Sequence, residues 1–252
     1  MQRYIFAWIL SLVMVSCSKQ KPVPAPVSLS IVHAITGSNV VVTNFTGTKR
    51  IDYLKAQKIE YGSFNMSSRF SVTATSQPLG IYNYPDTTDK SKPLLDLTLE
   101  LAGSSINTLF LTGTKDHPDH ILVKENLPDY GADSTMGVRF VNLSSGSSPV
   151  SVNIAGKPAG SELTGLSYKN ITGFMRYDVK ANMPDYVFEC RDATTGTLIA
   201  TIATEGLSFD GGDYNGNRWR RFNFTIALIG DPGATGVDAP RLFLIKHIPI
   251  PF

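Results

Sequence analysis

Cysteine and charge are what this sequence has least of. Only 2 cysteines and 4 histidines occur in 252 residues, and charged side chains make up 17%, below the roughly 25% of an average soluble domain. The 23 basic and 21 acidic residues nearly cancel to a net charge of +2. No global basic field therefore exists to hold nucleic acid or an anionic surface. With 21 glycines and 15 prolines the chain falls well short of low-complexity or collagen-like composition, and 42% apolar residues are enough to build cores. The spacings of a phosphate-binding Gly-x-x-x-x-Gly-Lys-Ser/Thr loop, a His-Glu-x-x-His zinc site, a Gly-x-Ser-x-Gly elbow and a Cys-x-x-Cys pair are all missing. The chemistry such motifs carry has no place to start, so neither a catalytic group nor a cofactor is expected. Long hydrophobic runs are also scarce.

The longest run, Tyr4 to Val15, follows Arg3 and is apolar except for Ser11. It is too short to cross a hydrocarbon core of about 30 Å, but it fits the apolar region of a signal peptide. Met14-Val15-Ser16-Cys17 follows directly and resembles a bacterial lipobox, with Met14 where Leu is usual. This resemblance implies a signal peptide over residues 1–16 and a lipid on Cys17, which would tie the protein to a membrane. Lipid there leaves Cys190 alone in the folded part, and one thiol makes no intrachain disulfide. Cys190 shares strand parity with Tyr186 and Phe188, which predicts a small buried hydrophobe rather than a nucleophile. Residues 17–27 alternate proline with small or polar residues and read as an extended tether. No acidic residue follows Cys17, so the periplasmic and the outer face are both open.

Beyond the tether the apolar residues repeat with period two. Leu95, Leu97, Leu99 and Leu101 alternate with Asp96, Thr98 and Glu100; Phe222, Phe224, Ile226 and Leu228 alternate with Asn223, Thr225 and Ala227. These are half-buried strands, and turn clusters such as Gly146-Ser147-Ser148-Pro149 and Asp231-Pro232-Gly233 separate them. Short strands with frequent turns predict an all-β, antiparallel sandwich architecture.

The pattern occurs twice. Leu29-Ser30-Ile31-Val32-His33-Ala34 matches Val138-Arg139-Phe140-Val141-Asn142-Leu143, and Val40-Val41-Val42 matches Val150-Ser151-Val152. Phe70 to Ala74 matches Tyr177 to Ala181, and each copy ends in an apolar strand, Ile121 to Val123 or Leu242 to Ile245. The offset of a little over 100 residues is the size of one immunoglobulin-like sandwich. Two tandem modules are expected, over 28–127 and 135–252, joined by Pro128 to Ser134.

The lipobox, the first-strand pattern at Val138 to Ser144, the second strand at Val150 to Ile154 and the Tyr177-Asp178-Val179-Lys180-Ala181 segment together resemble lipoproteins of Bacteroidetes-type bacteria that carry tandem immunoglobulin-like domains of unknown function. The resemblance implies an outer-membrane lipoprotein of the cell envelope and brings no reaction or catalytic residue with it. The function expected is a binding or assembly module for a glycan or an envelope protein. An accessory or weak glycoside hydrolase is the alternative, with acids such as Glu205, Asp210 and Asp213 available, and an adhesin or pilus-type subunit is another.

Three local clusters are candidates for chemistry. His117 and His120 flank Pro118, which predicts a loop leading into a strand rather than a helical face that could hold a metal. Asp210 to Asn217 suggests a calcium loop, but counting from Asp213 puts Arg218 where the loop needs Gly and Phe224 where it needs a bidentate Glu. No metal is expected at either. Arg218-Trp219-Arg220-Arg221 precedes the strand that begins near Phe222. Strand parity carried outward places Trp219 and Arg221 opposite the core, where with Tyr214 they could form an aromatic, cationic ligand surface. A bulge in the loop would instead turn Trp219 back to cap the sandwich. Alternation leaves the two open.

Overall fold

The structure is a computed structural model that describes residues 25–248 apart from 49–50, 55, 74, 86–91, 130–133 and 210–216. The signal segment, Cys17, the tether up to Pro24, Tyr214 and most of the Gly-rich loop lie outside the described residues.

Each half of the described chain contributes eight strands. The first half holds β1 (Val27–His33), β2 (Val40–Asn44), β3 (Lys58–Glu60), β4 (Arg69–Val72), β5 (Ser76–Asn83), β6 (Leu95–Glu100), β7 (Ile106–Gly113) and β8 (Pro118–Lys124). The second holds β9 (Thr135–Asn142), β10 (Val150–Ile154), β11 (Leu163–Leu166), β12 (Met175–Asp178), β13 (Val187–Asp192), β14 (Leu198–Ala203), β15 (Asn223–Ile229) and β16 (Arg241–His247). In the first half the sheets are ordered β4-β1-β7-β8 and β3-β2-β5-β6; the second half repeats both orders as β12-β9-β15-β16 and β11-β10-β13-β14. Even the one parallel pairing of each half recurs, β1 with β7 and β9 with β15. The segments matched from sequence fall on strands at equivalent places, β1 with β9, β2 with β10, β4 with β12 and β8 with β16. The chain is therefore two β-sandwiches of one topology.

Each sandwich fills its own interior with the inward residues of its two sheets. In the first, Leu29, Ile31, Leu109 and Leu111 meet Val41, Ile59, Leu79, Ile81 and Leu99. In the second, Val138, Phe140, Phe224, Ile226 and Leu228 meet Val150, Val152, Phe188 and Cys190. The polar member of the repeated first-strand motif does the same work in both copies. His33 Nδ1 accepts the Ile35 amide at 3.3 Å, and Asn142 Oδ1 accepts the Ser144 amide at 3.0 Å, each closing the strand two residues on.

A third core lies between the sandwiches. The other faces of β1, β7, β9, β15 and β16 supply Val32, Ala34, Phe110, Val141, Leu143, Ala227, Ile229, Phe243 and Ile245 to one buried cluster. The two sheets β4-β1-β7-β8 and β12-β9-β15-β16 thus pack face to face, and every residue of β9 and β15 is buried. This changes the reading of the alternation: the residues opposite Phe224 and Ile226 face the other module rather than water. Thr225 and Ala227 are small because two sheets approach there, about 10 Å apart as such layers pack.

Polar groups cross that interface too. Arg139 on β9 is 5% exposed and reaches Glu125, just past β8, through Nη2 to Oε1 at 2.7 Å. Its Nε donates to Thr225 Oγ1 at 2.8 Å, and its guanidinium stacks 4.5 Å from the Phe174 ring centre. Thr225 Oγ1 in turn lies 2.7 Å from His247 Nε2. Elsewhere Thr112 Oγ1 donates to the Leu143 carbonyl, Asn223 Nδ2 to the Pro128 carbonyl and Arg69 to the Lys246 carbonyl. His247 is pushed down to about 3 by burial and then by Arg139 and Arg69, and His33 down to about 4 by burial. Both rings are therefore neutral in the fold.

Two outcomes follow from this interface. Arg139→Met leaves the Glu125 carboxylate buried without its cation, a loss expected to cost about 3–5 kcal/mol. Calorimetry of wild type should show one cooperative transition that this change lowers as a whole; two transitions with only one displaced would mean the modules melt separately. The histidines set an acid limit. An unfolded imidazole takes up its proton below about 6.5 while the folded one does not. The sign is a loss of stability as pH falls below about 6.5, continuing toward 4 and 3, where the native rings themselves protonate. Denaturant midpoints between pH 7 and 4 check it. Replacing His33 and His247 by Gln should flatten that slope.

Candidate functional site

Asn217 decides where Trp219 goes. Its Oδ1 accepts the amides of Trp219 at 2.9 Å and Arg220 at 3.2 Å, while its Nδ2 donates to the carbonyls of Leu207 and Phe209. That side chain folds residues 217–220 into a tight turn instead of a strand extension. Arg221 then takes φ +65°, in the left-handed region, which breaks the parity running back from Phe222. Trp219 is consequently 2% exposed, its ring 4.8 Å from Phe224 and its Nε1 donating to the Glu205 carbonyl at 3.0 Å. The outward position that parity alone gives Trp219 is thus replaced by the bulge position, and the indole closes the end of the second core. Arg221 stays exposed on the other side of the turn, its amide bonded to the Thr135 carbonyl at 2.7 Å, so the structure does not bring Trp219 and Arg221 onto one surface.

The other nominated residues are plain in their roles. Cys190 is buried in the second core, and burial pushes its thiol up to about 12. His117 lies in the loop before β8 and His120 within it. Among the described residues no three His, Cys, Asp or Glu side chains converge as metal ligands.

A concave site that periodicity could not announce lies at the opposite end of the second sandwich. A cleft of about 430 Å³ opens between the β9–β10 loop (Ser144, Gly146, Ser147, Ser148), the β13–β14 turn (Asp192, Thr195, Thr197) and the β15–β16 loop (Pro232, Gly233, Pro240). Ile199 and Leu228, both packed on the second core, make its floor. The loops are fixed from within. Ser144 Oγ donates to the Gly230 carbonyl, and Ser147 Oγ to the Ser144 carbonyl. Gly230 has φ +93°, and a Cβ there would meet the Ala239 carbonyl at 2.5 Å, so only glycine fits this bend. Asp192 Oδ1 accepts the Thr194 and Thr195 amides at 2.8 and 2.7 Å, which holds its carboxyl below the usual range. With that carboxylate committed to the turn, the cleft offers an apolar floor and a rim of hydroxyls. The one sequence signal was turn chemistry: two Ser/Thr-rich turns and a Pro-Gly turn separated in the chain.

A second cavity, about 440 Å³, sits where the modules meet at the other end and is lined by Ile106, Glu125, Leu127, Arg221, Asn223 and His247.

No protein-family model matches the sequence, and no curated protein matches it significantly. Among solved structures, a family-26 carbohydrate-binding module from Eubacterium rectale, determined with maltoheptaose, aligns over 89% of this chain and 98% of its own, with 13% identity and a TM-score of 0.26. A candidate adhesin from Bacteroides ovatus aligns over 88% of this chain and 94% of its own, with 11% identity and a TM-score of 0.27.

Trp219→Ala should behave as a core truncation, losing about 3–5 kcal/mol in chemical denaturation. A loss under about 1 kcal/mol, the size of an ordinary surface change, would contradict the buried position.

Proposed function

We propose that the protein is a non-catalytic lipoprotein of the bacterial cell envelope, acylated at Cys17, that uses the cleft of its second module to hold a neutral, hydroxyl-bearing ligand such as a sugar unit. The observation that carries this reading is the placement of the cleft relative to the chain's entry. The described residues begin at Ala25, and Ser28 on β1 pairs with Ile106, which shares a cavity with Asn223 and His247 at the end of the second module where β9 starts. The cleft sits past the other end of β9, whose 8 residues span roughly 26 Å at about 3.3 Å each. A tether at Val27 therefore leaves the cleft pointing away from its attachment.

The ligand class follows from the lining. Thr197 Oγ1 accepts from Thr195 Oγ1 at 2.9 Å and keeps its own hydrogen to donate, Ser147 and Asp192 Oδ1 hold their own turns, and Ile199 and Leu228 offer an apolar floor. A ligand with a C–H face and hydroxyl edges matches such a surface, and a strongly charged one does not. Fixed loops reduce the ordering cost of binding, since little must be immobilised when the ligand arrives.

Thr197 is exposed at the rim, so Thr197→Arg should leave stability within about 0.5 kcal/mol while filling the cleft. The test is a glycan array with the unlipidated chain, followed by titration of any hit. A hit weakened at least about tenfold by Thr197→Arg, roughly 1.4 kcal/mol, supports the cleft. No hit, or a hit indifferent to the substitution, refutes it. The anchor is tested separately: Cys17→Ser in the native host should move the protein out of the membrane fraction.

A further inference from the structure

The cavity where the modules meet is lined by two buried acceptor atoms that no group among the described residues satisfies. Glu125 Oε1 accepts Arg139 Nη2 at 2.7 Å, while Oε2 of the same carboxylate has no hydrogen-bond partner although the side chain is 0% exposed. Asn223, 5% exposed, donates from Nδ2 to the Pro128 carbonyl at 2.9 Å. A carbonyl can only accept, so this bond fixes which end of the amide is nitrogen, and the remaining atom, Oδ1, is also without a partner. Both residues line the same cavity of about 440 Å³. A buried acceptor left unmade costs stability, and few persist in native folds unless something comes to meet them.

The lining comes from both modules. Ile106 on β7 and Glu125 and Leu127 past the end of β8 face Asn223 on β15 and His247 on β16. Arg221 and Asp129 line it as well, each engaged in interactions of its own. His247 adds a donor to the two acceptors. Thr225 Oγ1 already accepts Arg139 Nε, so its own hydrogen goes to His247 Nε2, and the neutral ring carries its proton on Nδ1. The volume is many times the roughly 30 Å³ that one water occupies and lies in the range that holds a small organic molecule.

We propose that this cavity is a second binding site, distinct from the cleft of the second module, for an uncharged polyhydroxyl compound of monosaccharide size that donates to Glu125 Oε2 and Asn223 Oδ1. The charge of the ligand follows from the carboxylate. An anion would meet Glu125 itself, and a metal ion or ammonium group on Oε2 would sit across one carboxyl group from the Arg139 guanidinium. The depressed His247 titration, with Arg139 and Arg69 among its causes, shows the same cationic surroundings. A hydroxyl both donates and accepts, so a polyol can meet the two acceptors and the imidazole together, with Ile106 and Leu127 against its C–H face. Because Glu125 belongs to one module and Asn223 to the other, a ligand bound to both would bridge them and stabilise their packing.

The test uses the unlipidated chain carrying Thr197→Arg, which fills the cleft, so that any binding measured belongs elsewhere. Glucose and myo-inositol are the probes, titrated by calorimetry and by the shift in melting temperature. At least one is expected to saturate, with a dissociation constant below about 10 mM, and to raise the melting temperature as its concentration rises. Asn223→Leu, which keeps the size and removes the acceptor, should weaken that binding at least about tenfold. Ile106→Phe and, separately, Leu127→Phe fill the cavity without touching a polar atom and should abolish it. Far-UV circular dichroism and melting show which variants fold, and either filling variant suffices should Asn223→Leu unfold. Saturation by neither probe, or binding indifferent to the filling variants, overturns the proposal. So does stabilisation by calcium chloride or ethylammonium chloride beyond that of sodium chloride in place of the polyols, because the orphaned oxygens then serve a cation. A filling variant that melts higher than its parent when no polyol binds also overturns it, since the cavity then holds only water. Failure here leaves the cleft untouched, and failure of the cleft on a glycan array leaves this site untouched.

Discussion

Everything in this fold depends on the inner sheets being buried on both faces. A sheet that covers a sandwich core with one face normally turns polar side chains to water with the other. Here Val32, Phe110, Val141, Phe243 and Ile245 meet between the modules, and the two sandwiches share one solvent-free layer. The consequences reach outward from it. Arg139 and Glu125 must pair because neither can find water, and His33 and His247 must stay neutral. Contacts such as Thr112 to the Leu143 carbonyl and Arg69 to the Lys246 carbonyl tie opposite ends of that layer. The modules are thus packed on each other rather than strung as beads on a linker.

The architecture was legible because strands write their burial into every second residue. Leu95 to Leu101 keep that pattern, with Asp96, Thr98 and Glu100 exposed. The repeat was legible for a related reason: equivalent strands carry equivalent inward residues, as Leu29 and Ile31 do with Val138 and Phe140. The interface was not. Thr225 and Ala227 opposite Phe224 look the same whether they face water or a second sheet, and Arg139 in a strand reads as solvent-exposed until a partner 14 residues away is known to be beside it. Period two reports that faces differ, not what lies against each.

The candidate sites were less legible still, since they lie where periodicity stops. Trp219 could be followed outward only by assuming that parity survives the turn, and one Asn side chain with one left-handed residue cancels that assumption. The cleft of the second module joins loops some fifty and forty residues apart in the chain, so no local window contains it. Arg69 from β4 meets Lys246 from β16 only because the modules pack together.

The duplicated topology has one more consequence. Arg69 on β4 reaches β16, and Lys169, in the loop before β12, reaches Asp119 on β8, the crossed arrangement that a two-fold pairing of like halves produces. In a true dimer of one gene product every substitution would appear at both symmetric places, and a buried charge would have to be tolerated twice. A fused pair escapes that rule. Arg139 occupies one side while its counterpart is Ser30, and Asn142 on one side is matched by His33 on the other. Covalent linkage lets a symmetric interface carry an asymmetric ion pair.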